Sequence, residues 1–339
     1  MVTERFTAQL LAGPPARDPV AVAERLLAVQ AQDPRGARLA IRARTQGLSA
    51  ADVDRALTEE RSLLIAWLNR GTLHLVRGED YRWLHALTTP RLHSASARRL
   101  GQVGVRPGAA DRGVAVIERS LAEEGPLTRV QLRERLDSAG VRTEGQALVH
   151  VLMLASLRGL VVRGPMIGRE HAYVLVRDWL GEPRPVDRDA ALAELARRYL
   201  TGHGPADERD LAKWAGLPLR DARAGLQAIA SELEQRGDGL VDLAGRPAAA
   251  PQPPPPRLLG SFDPILLGWT SREPLLGDHE SVVVGNGMFR PFALVRGVGA
   301  ATWRVRNGRV VIDPFGRLSK RVVAALDADA KDVVRYLGL

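Results

Sequence analysis

The sequence predicts an α+β protein, mainly helical, built as three tandem winged-helix domains followed by a β-rich C-terminal domain. Three observations carry that prediction. Before residue 245 one pattern recurs: a Gly-Pro turn, a short helix with leucine at the same offset, and a glycine stop. It reads EGPLTRVQLRERLDSAG over 124–140 and HGPADERDLAKWAGL over 203–217. A proline-rich run, RPAAAPQPPPPR at 246–257, then interrupts the chain, since consecutive prolines favour polyproline II and cannot continue a helix or a central strand. Beyond it, Asn286-Gly287 and Asn307-Gly308 each stand between apolar runs, the strongest short hairpin signal.

Residues 1–110 are the first domain. Asp18-Pro19 and Asp33-Pro34 start two helices, because an N-cap aspartate accepts a backbone N–H and a proline at the first helical position has none to lose. The second of these is expected over 34–44. Ser49 caps a third helix, and SLLIAW and GTLHLV supply two strands. Residues 111–185 are the second domain, with capping boxes at Thr128/Gln131 and Thr143/Gln146. A helix over 144–158 ends at Gly159, and LVVRGPMIGREHAYVLV reads as strand, Gly-Pro loop, strand: the wing. Residues 186–245 repeat the order with a shorter wing at LVDLAG. The linker is 246–257, and 258–339 holds both Asn-Gly hairpins and a closing helix near 318–336.

With 339 residues and a 45% hydrophobic fraction, each domain has enough chain to bury a core. No window approaches the roughly 18 apolar residues of a membrane helix. The start, MVTERFTAQLLAGPPARD, carries acid and lacks the apolar core of a signal peptide, so a cytoplasmic, nucleoid-associated protein is expected. The absence of cysteine excludes a disulfide framework and thiolate metal sites. A net charge of +9 suits a polyanion. Lys213, Lys320 and Lys331 are the only lysines, so the basic character is arginine, whose planar fork donates two hydrogen bonds to one phosphate. A GC-rich genome accounts for the same arginine bias.

There is no Walker A loop and no G-x-S-x-G elbow, and the seven histidines show no ligand spacing, so no metal and no cofactor is expected. LLAVQAQDPRG at 26–36 is more informative. Gln30 and Gln32 stand two apart just before Asp33-Pro34, where the residue preceding proline is pushed toward extended geometry. In an extended segment both carboxamides share a face. They then lie beside the positive end of the helix starting at Pro34, which favours anions. Two readings stand: a paired-amide site holding a water near a sugar-phosphate, or two polar residues capping a turn. Arg35, Arg38, Arg42 and Arg70 are candidate phosphate ligands, with Arg91, Arg98, Arg99 and Arg106 a second basic run. For each, a solvated or salt-bridged surface position is the alternative. The Asn286-Gly287 turn, with Met288, Phe289 and Arg290, reads either as a wedge into a duplex or as an ordinary turn. Trp67, Trp83 and Trp214 read as core.

QAQDPRGA, WLNRGTLHLV (67–76), SFDPILLGW (261–269) and GNGMFRPFALV (285–295) together resemble the AlkZ-type DNA glycosylases, a superfamily of tandem winged-helix proteins. The resemblance runs from the first domain to the last. It implies that Gln30 and Gln32 are the catalytic Gln-x-Gln pair, where a sister branch has Asp at the second position. It also implies that the partner is double-stranded DNA carrying bulky N7-alkylated purines and that interstrand crosslinks are unhooked; His74, in the family motif GTLHLV, reads either as a residue that approaches the lesion or as a structural one. Several such enzymes protect antibiotic producers from their own DNA-alkylating product. The expected protein is a monomeric, monofunctional glycosylase of base excision repair. The competing expectation is a binding protein without turnover: a winged-helix regulator, or a lesion sensor.

Overall fold

A computed structural model describes residues 2–182, 185–247 and 252–339, and the chain packs as two units, Met1–Val53 with Leu192–Leu339 and Asp54–Ala191. The first unit begins with α1 (Val2–Ala8), α2 (Pro19–Leu26), a two-residue strand β1 (Val29–Gln30) and α3 (Pro34–Arg42). Both Asp-Pro starts form as read: Asp18 accepts from the Ala21 N–H and Asp33 from the Arg35 N–H. α3 stops two residues short of 44, because the Arg44 N–H turns to the Ile41 carbonyl in a tighter closing turn.

α4 (Ala50–Thr58) carries the chain into the second unit. There β2 (Leu63–Trp67) and β3 (Leu73–Arg77) make a hairpin, followed by α5 (Gly78–Thr88), α6 (Leu92–Gln102), α7 (Pro107–Glu124), α8 (Arg129–Ser138) and α9 (Ala147–Leu157). The hairpin β4 (Val161–Ile167) and β5 (Glu170–Leu175) and the short α10 (Val176–Leu180) complete it. β3, β2, β4 and β5 lie side by side in that order, antiparallel throughout. Eight of the 11 residues of α9 are buried, so it is a core helix with little surface to lay into a groove.

Two expectations are corrected here. The Thr128/Gln131 capping box forms, but the Thr143/Gln146 box does not: the Thr143 hydroxyl donates to Asp137 at 2.5 Å, and α9 starts at Ala147 behind Gln146. The Gly164-Pro165 pair is not the wing loop. It lies inside β4, where the register with β5 shifts between Arg163 and Met166, and the chain turns instead at Gly168-Arg169. Proline cannot donate to the ladder, so a bulge accommodates it.

α11 (Arg188–His203) returns to the first unit, where α12 (Glu208–Ala215), α13 (Leu219–Ala228) and the small hairpin β6 (Leu233–Gln235) with β7 (Val241–Leu243) follow. Residues 248–251 of the predicted linker lie outside the described residues. The C-terminal part holds β8 (Arg257–Leu259), α14 (Glu273–Leu276), α15 (Glu280–Val283), β9 (Val284–Gly285), β10 (Met288–Phe289), β11 (Phe292–Val295), β12 (Val298–Arg306), β13 (Arg309–Pro314) and α16 (Lys320–Leu337). β13, β12, β11 and β8 form an antiparallel sheet in that order. Its core joins Leu258, Ala293 and Trp303 to Leu326 and Val333 of α16 and to Leu39 of α3. The Asn286-Gly287 hairpin is shorter than its flanking apolar runs suggest, with arms of two residues: Glu280–Val283 is helical, and Phe292–Val295 pairs with β8 and β12 instead. No described helix is long and apolar enough to cross a membrane.

Candidate active site

The glutamine pair sits on non-helical chain. Leu27 has φ +64°, which ends α2, and β1 then extends through Val29 and Gln30. Asp33 is extended at φ −106° and ψ 111°, and its carboxylate accepts from the Arg35 N–H at 3.0 Å. Gln30 is 6% exposed, whereas Gln32 is exposed to solvent one residue before the cap. A carboxamide offers donors and an acceptor without charge, so this position presents neutral hydrogen-bonding groups next to the positive end of a helix.

α3 is held at both ends by the segment SFDP. At its first turn a Cβ on Gly36 would stand 2.4 Å from the Ser261 carbonyl oxygen, and one on Gly260 would stand 3.1 Å from the Gly36 Cα. Only glycine permits this backbone-to-backbone contact. Past its last turn, Arg44 is fully buried, with its guanidinium bidentate to Asp263 at 2.8 and 3.0 Å. It also donates to the Gln9 and Ala40 carbonyls and to the Gln9 side chain. Asp263 in turn accepts from the Ile265 N–H. QAQDPRGA and SFDPILLGW, more than two hundred residues apart, are thus one piece of structure.

Of the arginines read on α3, Arg35 is exposed, and Arg38 is half-buried with one N–H on the Pro34 carbonyl. Arg42 is different. Its side chain is 3% exposed, and its guanidinium is committed to Asp332, to the Leu258 carbonyl and to Asp329. It belongs to the frame of the fold, and the phosphate role read for it gives way to these buried partners. At the hairpin, Asn286 and Gly287 have φ +50° and +74°, the primed turn that matches strand twist. Met288 is 60% exposed. Phe289 instead packs on Phe262 with centroids 5.3 Å apart, under the Arg272 guanidinium at 5.1 Å. Phe289 therefore anchors the hairpin beside Asp263, and Met288 and Arg290 project.

In the second unit, Leu68–Thr72 closes the β2–β3 hairpin, with Arg70 at φ +57° and Gly71 at φ +74°. His74 is buried, with Nδ1 3.0 Å from the Thr72 carbonyl. A carbonyl only accepts, so Nδ1 carries the proton and Nε2 keeps its lone pair. Burial, and then the charge of Arg70, lower the His74 pKa to about 3, so the imidazole is neutral and is an acceptor rather than an acid at neutral pH. The adjacent Asn69 is fully buried, and neither atom of its amide has a hydrogen-bond partner among the described residues. Arg98 and Arg99 are exposed on α6, with Arg99 donating to Gln102. Trp67 and Trp214 are buried, and Trp83 is half-buried. Among the described residues no group of three His, Asp or Glu is placed to hold a metal.

Sequence reasoning missed Arg44, Asp263, Gly36 and Gly260. One signal was visible for Asp263: Asp263-Pro264 is a third Asp-Pro helix start, and here it opens a single 3-10 turn. Nothing in the local sequence marks Arg44 as the buried arginine.

The profile of the AlkZ-like family, described as DNA glycosylase AlkZ-like, matches residues 23–336. The interstrand DNA cross-link repair glycosylase of Streptomyces sahachiroi is 29% identical over 347 residues, covering 94% of this chain and 90% of its own. Among solved structures, the Streptomyces sahachiroi DNA glycosylase AlkZ aligns with a TM-score of 0.78 at 25% identity, over 100% of this chain and 96% of that one.

Proposed function

The chain belongs to the AlkZ-like DNA glycosylase family, and from that premise we propose that it hydrolyses the N-glycosidic bond of bulky N7-alkylated purines in duplex DNA, with Gln30 and Gln32 placing the water. The observation that carries this reading is the Gln30-Ala31-Gln32 segment itself. It is uncharged and non-helical, with Gln30 ending a two-residue strand and Gln32 one residue before the Asp33 cap, at the start of a helix that glycine contacts and a buried ion pair hold in place.

Alkylation at N7 leaves the purine cationic, so the base departs with the electrons of the C1′–N9 bond and becomes neutral without a general acid. The remaining task is to stabilise an oxocarbenium-like C1′ and to deliver a water, whose oxygen bonds to C1′ and whose proton passes to solvent. Carboxamides orient that water through hydrogen bonds, and positioning of this kind is worth several kcal/mol. A strong base adds little when the bond breaks early. The same step on one strand unhooks an interstrand crosslink, the substrate named for the Streptomyces sahachiroi relative. We also read the helix–helix–helix–hairpin runs as winged helices that present the site to DNA, and protection of a producer from its own alkylating product as the biological setting.

The test is a duplex carrying one N7-methylguanine. Wild type should release the base and leave a site cut only after mild alkali. Gln30→Ala and Gln32→Ala should each slow release by about 30- to 1000-fold, or roughly 2–4 kcal/mol of barrier, at unchanged DNA affinity and melting temperature. The double variant should lose less than the sum, because both amides hold one water. Full-speed release by both single variants would reduce the pair to a turn cap.

A further inference from the structure

Four arginines in the described residues stack on aromatic rings: Arg5, Arg61, Arg163 and Arg272. Arg5 and Arg272 also face carboxylates, Asp210 and Glu280. Arg163 does not. It occupies β4 with Ile65 of β2 opposite on one side and Tyr173 of β5 on the other. The guanidinium carbon lies 5.0 Å from the Trp67 ring and 5.1 Å from the Tyr173 ring, and Nε donates to the Tyr173 hydroxyl at 3.0 Å. The β-bulge that begins here re-aims the side chain. Trp67 and Tyr173 are buried core residues, so packing on all sides restrains the rings that hold Arg163. Arg163 itself is only half-buried. No carboxylate lies within ion-pairing distance of it among the described residues, and neither Nη nitrogen is a buried orphan. Arg129, exposed at the start of α8, adds a second positive charge felt by the Tyr173 phenol.

A half-buried cation with no acid beside it needs an anion or water at its outer edge. Two rings and one hydrogen bond have already removed most of its rotamer freedom, so binding there loses little entropy. We propose that Arg163 is a preset phosphate contact, a guanidinium locked between Trp67 and Tyr173 whose Nη edge grips a backbone phosphate of duplex DNA. This rests on the chain acting on DNA and is independent of what Gln30 and Gln32 do.

The experiment measures affinity of the full-length protein for an undamaged duplex across salt. Arg163→Met keeps apolar cover over both rings and removes the charge. The slope of log affinity against log salt should become shallower by about 0.9, so the fall between roughly 50 and 200 mM salt shrinks about threefold. Arg163→Lys should restore the slope. In a duplex with single methylphosphonates, one neutralised position should weaken wild type and leave Arg163→Met indifferent. If Arg163→Met fails to fold, Arg163→Gln, which keeps an N–H for Tyr173, replaces it in both measurements. An unchanged slope, no such phosphate, or loss of fold in both variants would overturn the proposal and leave Arg163 as a brace over the core.

Discussion

At the C-terminal end of α3, Arg42 and Arg44 are enclosed by carboxylates, whereas at its N-terminal end Arg35 is exposed and Gln32 is exposed beside the cap. Arg35 and Arg44 are the same residue type within ten positions, and their environments are opposite. The acids that make the difference, Asp263, Asp329 and Asp332, come from the far end of the chain. The lesson is one of division of labour within a single short helix. Backbone contact with Ser261 fixes the first turn and buried ion pairs fix the last, so the side chains left to solvent at the N-terminal end stand on a rigid support.

The largest way to break that contrast is Arg44→Met. It leaves Asp263 buried and unpaired, which should remove about 3–5 kcal/mol of stability in a denaturant titration. Adding Asp263→Leu should recover part of it, because a buried apolar pair leaves no orphaned charge. A single variant within about 1 kcal/mol of wild type would show that the clamp lies elsewhere.

A middle-sized effect comes from pH. Burial first, and then the charges of Arg44, Arg246 and Arg5, hold the fully buried His203 at a pKa of about 3, against 6.5 for an ordinary histidine. The unfolded chain therefore binds a proton that the folded chain refuses between those values. Stability should fall as pH drops below 6.5, by about 1.4 kcal/mol per pH unit for this histidine and as much again for His74. Melting curves from neutral to pH 4.5 check the slope, and His203→Phe should make it shallower by about 1.4 kcal/mol per pH unit. A flat profile would mean that neither imidazole stays neutral in the fold.

The smallest effect sharpens the comparison most. Arg35→Gln should make the salt dependence of DNA binding shallower by about 0.9, roughly threefold between 50 and 200 mM salt, without lowering the melting temperature. Arg42→Gln should do the reverse: an unchanged slope with a lower melting temperature. If both variants change the slope alike, the two ends of α3 do not differ in the way their burial indicates.

Much of this was legible in the sequence, and for local reasons. Asp-Pro starts, Asn-Gly turns and the Thr128/Gln131 box depend on a few neighbouring residues, so they appear where residue chemistry places them. The extended backbone at Asp33 follows from its place before a proline. The Gly164-Pro165 pair suggests a loop by its local sequence, yet flanking pairs with β2 and β5 keep it within a strand as a bulge. Thr143 turned to Asp137 because a short charge-assisted hydrogen bond competed with the cap.

By itself the sequence determined where helices begin, where hairpins turn, that the surface is cationic and arginine-rich, and that four separated motifs belong to one family. Only the tertiary structure decided which arginines are buried and which are exposed, that SFDP braces α3 and Arg44, that Phe289 is an anchor while Met288 projects, and that His74 is neutral. The physical reason is range. Caps and turns are set by bonds within a few residues, whereas burial, ion pairing and pKa depend on which distant segments come within a few ångströms, and no local pattern encodes that distance.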